Sequence, residues 1–495
     1  MKTDHLMHIQ FTPERSLQEQ IREHVIDSIQ RGMFGTNALP SCRKMAAMLR
    51  VSRNTVVLVY ERLVDEGYLY SQERSGYYAT DDARKNRDIS VDAPDLADSP
   101  ANIKPAQFWR NRVKTDLDSQ RNVVKATNWQ QYPYPFLFAQ PEHSLFPLAH
   151  WRECGRLAQR SSVIKDWISD SVDCDDPMLV KQLQINVLSK RGITAKPEEI
   201  LITVGTQNSL YLLADLLVEN GTKVGLEDPG YPDARNIFSY HGAEIEPLSV
   251  DHQGVEVTSK MASCEYVYTT PSHQVPTNVT MSMDRRNALL ESAEKNDFII
   301  IEDDFESEVN VLSQPSPALK SLDSNGRVIY VGSLSKSLSP GLRIGFMVAD
   351  ANLIREVRKL RRLMYRHPPS NNQRTCALFI SLGHYDSYVR KLKNSYKDKW
   401  TLIRKMLEQH MPQCVTDETL GGSSFWLKLP KGVKAEAFAL KAREMGVLVE
   451  PGDIHFMHPE RESHAYIRMG FSAIDIAMIP AGIEKLASIL EPEHA

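Results

Sequence analysis

The chain has 495 residues, 42% of them hydrophobic and 25% charged, with a formal net charge of −4. That length holds more than one domain and a large core, and the balanced charge excludes a chain coated in nucleic acid along its whole length. Six cysteines (Cys42, Cys154, Cys174, Cys264, Cys376, Cys414) show no CxxC pair and no metal-type spacing, so reduced thiols and no metal site are expected. The opening Met1-Lys-Thr-Asp-His-Leu has no apolar leader, and no run reaches membrane-spanning length. A soluble, cytoplasmic protein with no membrane partner is expected.

Residues 1–80 are predicted to form a small helical module. Leu17, Ile21, Val25 and Ile29 recur every fourth residue, the stripe of an amphipathic helix ending near Gly32. Pro40-Ser41 opens a short helix carrying Met45, Ala46, Met48 and Leu49. Ser52 is placed to cap a third helix running to about Asp65, with Gly67 beyond its end. Tyr68-Leu-Tyr and Tyr77-Tyr-Ala-Thr flank Ser75-Gly76 and read as a hairpin. Three helices and a hairpin make a winged helix-turn-helix.

Between Ser41 and Arg62, five basic residues (Arg43, Lys44, Arg50, Arg53, Arg62) face one acid, Glu61. The first turn of the third helix holds Arg53, Asn54 and Thr55, the part of a recognition helix that reaches base edges. Arg reads guanine, Asn adenine, and Thr a phosphate or thymine methyl. Arg43 suits a phosphate, and Gly76 at the wing suits the minor groove. The alternative is a solvated basic face on a dimerisation module; the complete helix-turn-helix-wing pattern favours operator DNA, with Arg43, Ser52, Arg53, Asn54, Thr55 and Gly76 as its contacts.

From Asp81 to about Ala106 the apolar pattern fades among Pro94, Pro100 and Pro105, which predicts a semi-extended linker. Over 107–495 strands alternate with helices. Ile200-Leu-Ile-Thr-Val leads into a helix over Gln207 to Val218. Lys223-Val-Gly-Leu, Tyr266-Val-Tyr, Phe298-Ile-Ile-Ile, Val328-Ile-Tyr-Val and Ile344-Gly-Phe-Met are further strand candidates. The alternation predicts an α/β domain with a mainly parallel sheet.

Gly332-Ser-Leu-Ser-Lys336-Ser-Leu-Ser-Pro-Gly-Leu-Arg343 follows one of these strands. A lysine among hydroxyls, with an arginine seven residues on, suits a Schiff base to an aldehyde cofactor and a cup for its phosphate; a plain polar loop is the alternative. Asp303, after the Phe298 strand, can pair with a protonated pyridine nitrogen or simply cap a helix. Gly205-Thr206-Gln207 opens a helix, where amides and a hydroxyl suit phosphate as well as an ordinary cap. Tyr231 in Asp228-Pro-Gly-Tyr offers a ring for stacking. Together these residues point to pyridoxal 5'-phosphate.

From about Tyr132 onward the chain resembles a fold-type-I aminotransferase. It does so through Gly205-Thr-Gln, Asp228-Pro-Gly-Tyr, Pro271-Ser-His-Gln-Val-Pro-Thr, Glu302-Asp-Asp, Ser333-Leu-Ser-Lys…Arg343 and Ile467-Arg468-Met-Gly-Phe. Residues 1–80 resemble a GntR-type winged helix through Leu39-Pro-Ser-Cys-Arg43 and Val51-Ser-Arg-Asn-Thr55. The combination resembles the MocR subfamily of transcription regulators (GabR-like). The resemblance implies an internal aldimine at Lys336, a ring-nitrogen contact from Asp303, and a phosphate cup of Thr206, Gln207, Ser333, Ser335 and Arg343. It places Tyr231 at the ring face, His273 and Gln274 near the ring hydroxyl, and Arg468 on the carboxylate of an amine or amino-acid effector that forms an external aldimine. It also implies a homodimer, since fold-type-I sites are completed by a second subunit. A working aminotransferase with an accessory DNA-binding head is the alternative function. Phe305 stands where the family commonly has Tyr, which removes a phenol partner of the cofactor and weighs against that alternative. Asn278 stands where glycine is usual, and Asn tolerates the positive φ such a turn needs.

Overall fold

The computed structural model describes residues 9, 11–12, 15–72, 75–85, 112–115, 117–118, 120–138, 142–306, 316–414, 421–458 and 463–491. The chain divides into two compact units, Met1–Lys114 and Thr115–Ala495.

In the first unit, α1 (Leu17–Gln30) starts at a capping box: the Ser16 hydroxyl accepts from the Glu19 amide at 3.2 Å, and the Glu19 carboxylate accepts from the Ser16 amide at 3.4 Å. Ile21, Val25 and Ile29 are buried as the periodicity predicts, while Leu17 in the first turn stays exposed. Helix α2 (Cys42–Leu49) is capped by Ser41 and α3 (Arg53–Asp65) by Ser52, whose hydroxyl accepts from the Thr55 amide at 3.1 Å. Strands β1 (Leu69–Gln72) and β2 (Gly76–Ala79) pair antiparallel. One core joins Ile21, Val25, Met45, Leu49, Val56, Leu63 and Leu69.

The expected linker begins later than its polar composition suggests. Asp81–Lys85 forms a fourth helix, α4, where the Thr80 hydroxyl accepts from the Ala83 amide at 3.3 Å and Ala83 is buried in the winged-helix core. A cap and one apolar anchor outweigh the surrounding charge. The remainder of that expected linker, 86–106, lies outside the described residues.

The second unit is built on an eight-stranded sheet. In chain order its strands follow β3 (Tyr134–Pro135): β4 (Ile200–Thr203), β5 (Lys223–Asp228), β6 (Glu244–Asp251), β7 (Gly254–Val255), β8 (Tyr266–Thr269), β9 (Ile299–Asp304), β10 (Val328–Ser333) and β11 (Gly345–Val348). Their spatial order is β4-β11-β10-β9-β8-β5-β6-β7. Strands β10, β9, β8, β5 and β6 run parallel, while β11 is antiparallel to both its neighbours. The apolar runs expected as strands lie in this sheet. Strand β6, Glu-Ile-Glu-Pro-Leu-Ser-Val-Asp, carries no such run, because near the sheet edge it is only partly covered.

A smaller sheet holds β12 (Ser424–Lys428), β14 (Glu450–Pro451) and β15 (Tyr466–Gly470) in the order β12-β15-β14, while β13 (Val447–Leu448) pairs with β3. No helix among the described residues is long and apolar enough to cross a membrane. The parallel strands all end on one edge of the large sheet, where an open α/β sheet binds ligands. Asp303, Ser333 and Asp228 stand at those ends.

Candidate functional site

A cavity of about 280 Å³ opens at that edge, lined by residues that include Thr206, Gln207, Tyr231, Asp303, Ser333, Ser335, Lys336, Arg343 and Arg468. Nine sequence-predicted side chains thus meet around one space, although 262 positions separate Thr206 from Arg468 (468 − 206).

Lys336 follows β10 and turns its ammonium to 4.7 Å from the centroid of the Phe138 ring. Burial pushes its pKa down to about 8, with Glu306 pulling the other way. Asp303 is the penultimate residue of β9; its Oδ2 accepts from the Tyr268 hydroxyl at 2.9 Å, while its buried Oδ1 has no hydrogen-bond partner. Burial raises this carboxyl to about 7, a shift that a cationic N–H donor would reverse.

Across the cavity, Gly205 (φ +110) leads into the helix Thr206–Leu217. A Cβ at Gly205 would stand 2.9 Å from an Arg343 guanidinium nitrogen, so only glycine lets that cation lie against the helix N-terminus. The Ser333 hydroxyl accepts from the Ser335 amide at 3.1 Å, and the buried Ser335 hydroxyl has no partner. A helix N-terminus, a free hydroxyl and an arginine make a phosphate cradle. Gln207 borders it but donates its amide to Asp233 at 2.7 Å.

The orphaned Asp303 oxygen, the orphaned Ser335 hydroxyl and the lysine with a depressed pKa fit pyridoxal phosphate. Lys336 would hold its aldehyde carbon, Asp303 its ring nitrogen, and the Gly205–Arg343 cradle its phosphate.

The structure does not bring His273 and Gln274 to the cavity. Gln274 donates to Glu227, Pro229 O and Val275 O and accepts from Thr277, so its amide holds its own turn together. His273 is buried beside Asp304, Arg191 and Arg286, and burial lowers its pKa to about 4. One wall of the cavity is apolar. Phe138, Val275 and Phe305 pack as one cluster with Tyr231 against it, and Phe138 meets Phe305 edge-on at 6.3 Å.

Arg468 on β15 is buried. Its Nε donates to the Ser424 hydroxyl at 3.1 Å, its Nη2 has no partner, and its guanidinium carbon lies 3.4 Å from the Phe138 ring centroid. Burial brings its pKa down to about 10, so it stays cationic at neutral pH. Asn278 adopts φ +61, and its amide donates to Ser424 O at 2.6 Å and Ser424 Oγ at 3.0 Å. The glycine-to-asparagine departure therefore adds a link to β12, whose Ser424 hydroxyl also accepts from Arg468.

Sequence reasoning missed Phe138, Lys125, Glu450 and His455, all of which line the cavity. None stands in a motif. Each arrives from a chain-distant segment.

On the first unit, Arg53 and Asn54 are exposed in the first turn of α3, and Arg43 is exposed on α2. The Ser52 and Thr55 hydroxyls lie 2.8 Å apart, so both serve the cap of α3. Gly76 is half-buried at the start of β2 with φ +123, facing Ala38 rather than forming a free tip. Arg62, itself exposed, pairs with Glu66 at 2.9 Å; Arg43, Lys44, Arg50 and Arg53 are the other exposed cations of the predicted basic segment.

Comparison with known proteins agrees with both units. Residues 17–78 match the model of the bacterial regulatory proteins of the gntR family, and residues 173–486 match aminotransferase class I and II, a family that uses pyridoxal phosphate. The chain is 40% identical to the HTH-type transcriptional regulator TauR of Rhodobacter capsulatus, over 96% of each chain. It is 28% identical to the probable rhizopine catabolism regulatory protein MocR of Rhizobium meliloti, over 96% of this chain and 93% of that one. Kynurenine aminotransferase from Pyrococcus horikoshii, solved in complex with PMP, superposes with a TM-score of 0.70 at 25% identity, covering 78% of this chain and 98% of that one. The chain thus belongs to the MocR subfamily of GntR-type transcription regulators, DNA-binding proteins in which a winged helix precedes a fold-type-I aminotransferase domain.

Proposed function

We propose that this regulator binds pyridoxal phosphate at Lys336 and senses an amine or amino acid there, converting its capture into a change in operator binding. The observation that carries the reading is that the Lys336 amine and the unpartnered Arg468 nitrogen belong to one cavity and share one aromatic ring, Phe138. When bound, the cofactor supplies an aldehyde carbon at which one amine can replace another. Lys336 would hold that carbon through its amine, and Arg468 would grip the effector's anionic end with a planar fork. Asp303 holds the ring nitrogen's proton. Phe305 brings no hydroxyl to the site, which favours capture over full amino-group transfer. Sustained turnover of an amine with a keto acid would establish the aminotransferase alternative.

The test is reciprocity. Saturating amine should change operator affinity by some factor, and operator should change amine affinity by the same factor. An amine that shifts the visible band of the holoprotein yet leaves operator affinity unchanged would refute the sensing role.

Operator contact is proposed for Arg43, Arg53, Asn54 and Thr55, with Ser52 fixing the turn that presents them and Gly76 shaping the wing. Arg53→Ala is expected to weaken operator binding and to flatten its dependence on salt. Loss of a base contact should reduce discrimination at one position by about 1–3 kcal/mol. Unchanged affinity and sequence preference in a binding titration would remove Arg53 from the interface. A homodimer is proposed because one winged helix covers little DNA. Sedimentation showing a monomer that binds operator at full strength would overturn it.

A further inference from the structure

A group of ligand-type side chains lies outside the cavity at the sheet edge. His150 and Glu153 stand one turn apart on the helix Leu148–Ala158, so they share a face. His384 opens the helix His384–His410, and the three side chains bring their ligand atoms within 4.8 Å of one another. Among the described residues no other three His, Cys, Asp or Glu side chains gather in this way. Nor does any hydrogen bond or ion pair among the described residues engage these three, while Asp386, in the same turn as His384, is taken by Lys190.

His150 and Glu153 are exposed and His384 is half-buried. The two imidazoles stack, with centroids 4.1 Å and planes 15° apart, and the Phe379 ring centroid stands 5.6 Å from that of His384. Burial and the neighbouring His150 hold the His384 pKa below its ordinary value, against the pull of Glu153. This imidazole is therefore neutral at neutral pH, with a lone pair to give. Two imidazoles and a carboxylate suit zinc and its transition-metal neighbours, whereas magnesium and calcium take oxygen ligands. Around a tetrahedral zinc ion with ligands at about 2.0–2.2 Å, donor atoms stand roughly 3.3–3.6 Å apart, so the group must draw in slightly. Stacked rings cannot both aim a lone pair at one ion, and one ring has to turn about its Cβ–Cγ bond. The exposed His150 has room to do so, while His384 is held against Phe379.

We propose that His150, Glu153 and His384 form a binding site for a divalent transition-metal ion, with water completing its shell, and that the ion pins the start of the long helix to Leu148–Ala158. No cysteine takes part, so the cysteine spacings that spoke against a metal had no bearing on it. Farther along the pinned helix, Trp400 stacks on Phe425 of β12 and Tyr396 meets Phe471 edge-on. The ion would thus stiffen the helix against which the sheet of Arg468 packs. This inference is independent of the proposed effector sensing.

The test titrates zinc into full-length holoprotein freed of any purification tag, in competition with a chromophoric chelator. One zinc per chain is expected, displaced by nickel and not by a large excess of magnesium. Lys336→Ala should bind it equally, which separates this ion from one held at the cofactor. His150→Ala, Glu153→Gln and His384→Ala should each weaken it about tenfold or more, since losing even a ligand's supporting partner costs about 10–100-fold. His150 and Glu153 are exposed, so their variants keep the core and decide the matter if His384→Ala fails to fold. Zinc should also raise the unfolding temperature of the wild type and not that of His150→Ala. Zinc held equally by the wild type and the double variant His150→Ala/Glu153→Gln, or binding without fixed stoichiometry, would mean an adventitious ion only and would overturn the site. Stoichiometric zinc that leaves the unfolding temperature of the wild type unmoved would overturn the pinning.

Discussion

Lys336→Ala is expected to abolish covalent attachment of the cofactor: no visible imine band and no borohydride-fixed label on the 336 peptide. The magnitude is all-or-none, because one nitrogen is being removed. A direct pH signature accompanies it. With a pKa of about 8, roughly a tenth of the Lys336 amines are unprotonated at pH 7, against about one in three thousand for a lysine near 10.5. The unprotonated amine is the nucleophile. The rate at which apoprotein takes up pyridoxal phosphate should therefore rise with pH through about 8 and level off above it. The cause is burial, so the profile belongs to the folded cavity and should vanish in denaturant. A label that persists on the same peptide in Lys336→Ala, or uptake that is flat from pH 6 to 9, would contradict the assignment.

Arg468→Met is expected to leave the imine band in place and weaken amines with an anionic end by about a hundredfold or more, the scale for losing a buried, charge-assisted bidentate partner. Methionine fills similar volume, so the Phe138 ring keeps a neighbour, while the Ser424 hydroxyl loses the Arg468 donor and keeps the Asn278 amide. Arg468→Lys keeps the charge without the fork and should fall between the two proteins. Because the Arg468 pKa stays near 10, the loss should be nearly constant between pH 6 and 9, unlike the Lys336 effect. Band-shift titrations at several pH values separate the two. Equal effector affinity in wild type and Arg468→Met would exclude Arg468 from effector binding.

Much of both units was legible because it depends on chemistry a few residues apart. Ser41 with Lys44 and Ser52 with Thr55 start their helices through bonds spanning three positions, and a reader of the chain meets both partners together; the Ser16–Glu19 box of the first helix has the same spacing and was not read from the sequence. The apolar runs of β4, β5, β8, β9 and β10 read as strands because both their faces are covered. Ser333, Ser335, Lys336 and Arg343 lie within eleven positions, and Asp303 stands near the end of an unmistakable strand. Local reasoning failed where a single buried side chain outweighed composition: Ala83 draws Asp81–Lys85 into a helix. The position of Gln274, implied by the resemblance alone, answers to partners the motif does not contain, Glu227 and the Pro229 carbonyl.

The sequence by itself determined the order of the domains, the helix caps, the lysine loop and the types of residue available for the chemistry. Tertiary structure alone decided that Phe138 lies beneath both Lys336 and Arg468, that Glu450 stands opposite Arg468, and that Lys125 comes within 3.5 Å of Glu450. The physical reason is one of range. Backbone turns and caps answer to neighbours within a few residues, whereas the charge balance of a cavity depends on strand register and on segments hundreds of positions apart that meet only when the sheets close.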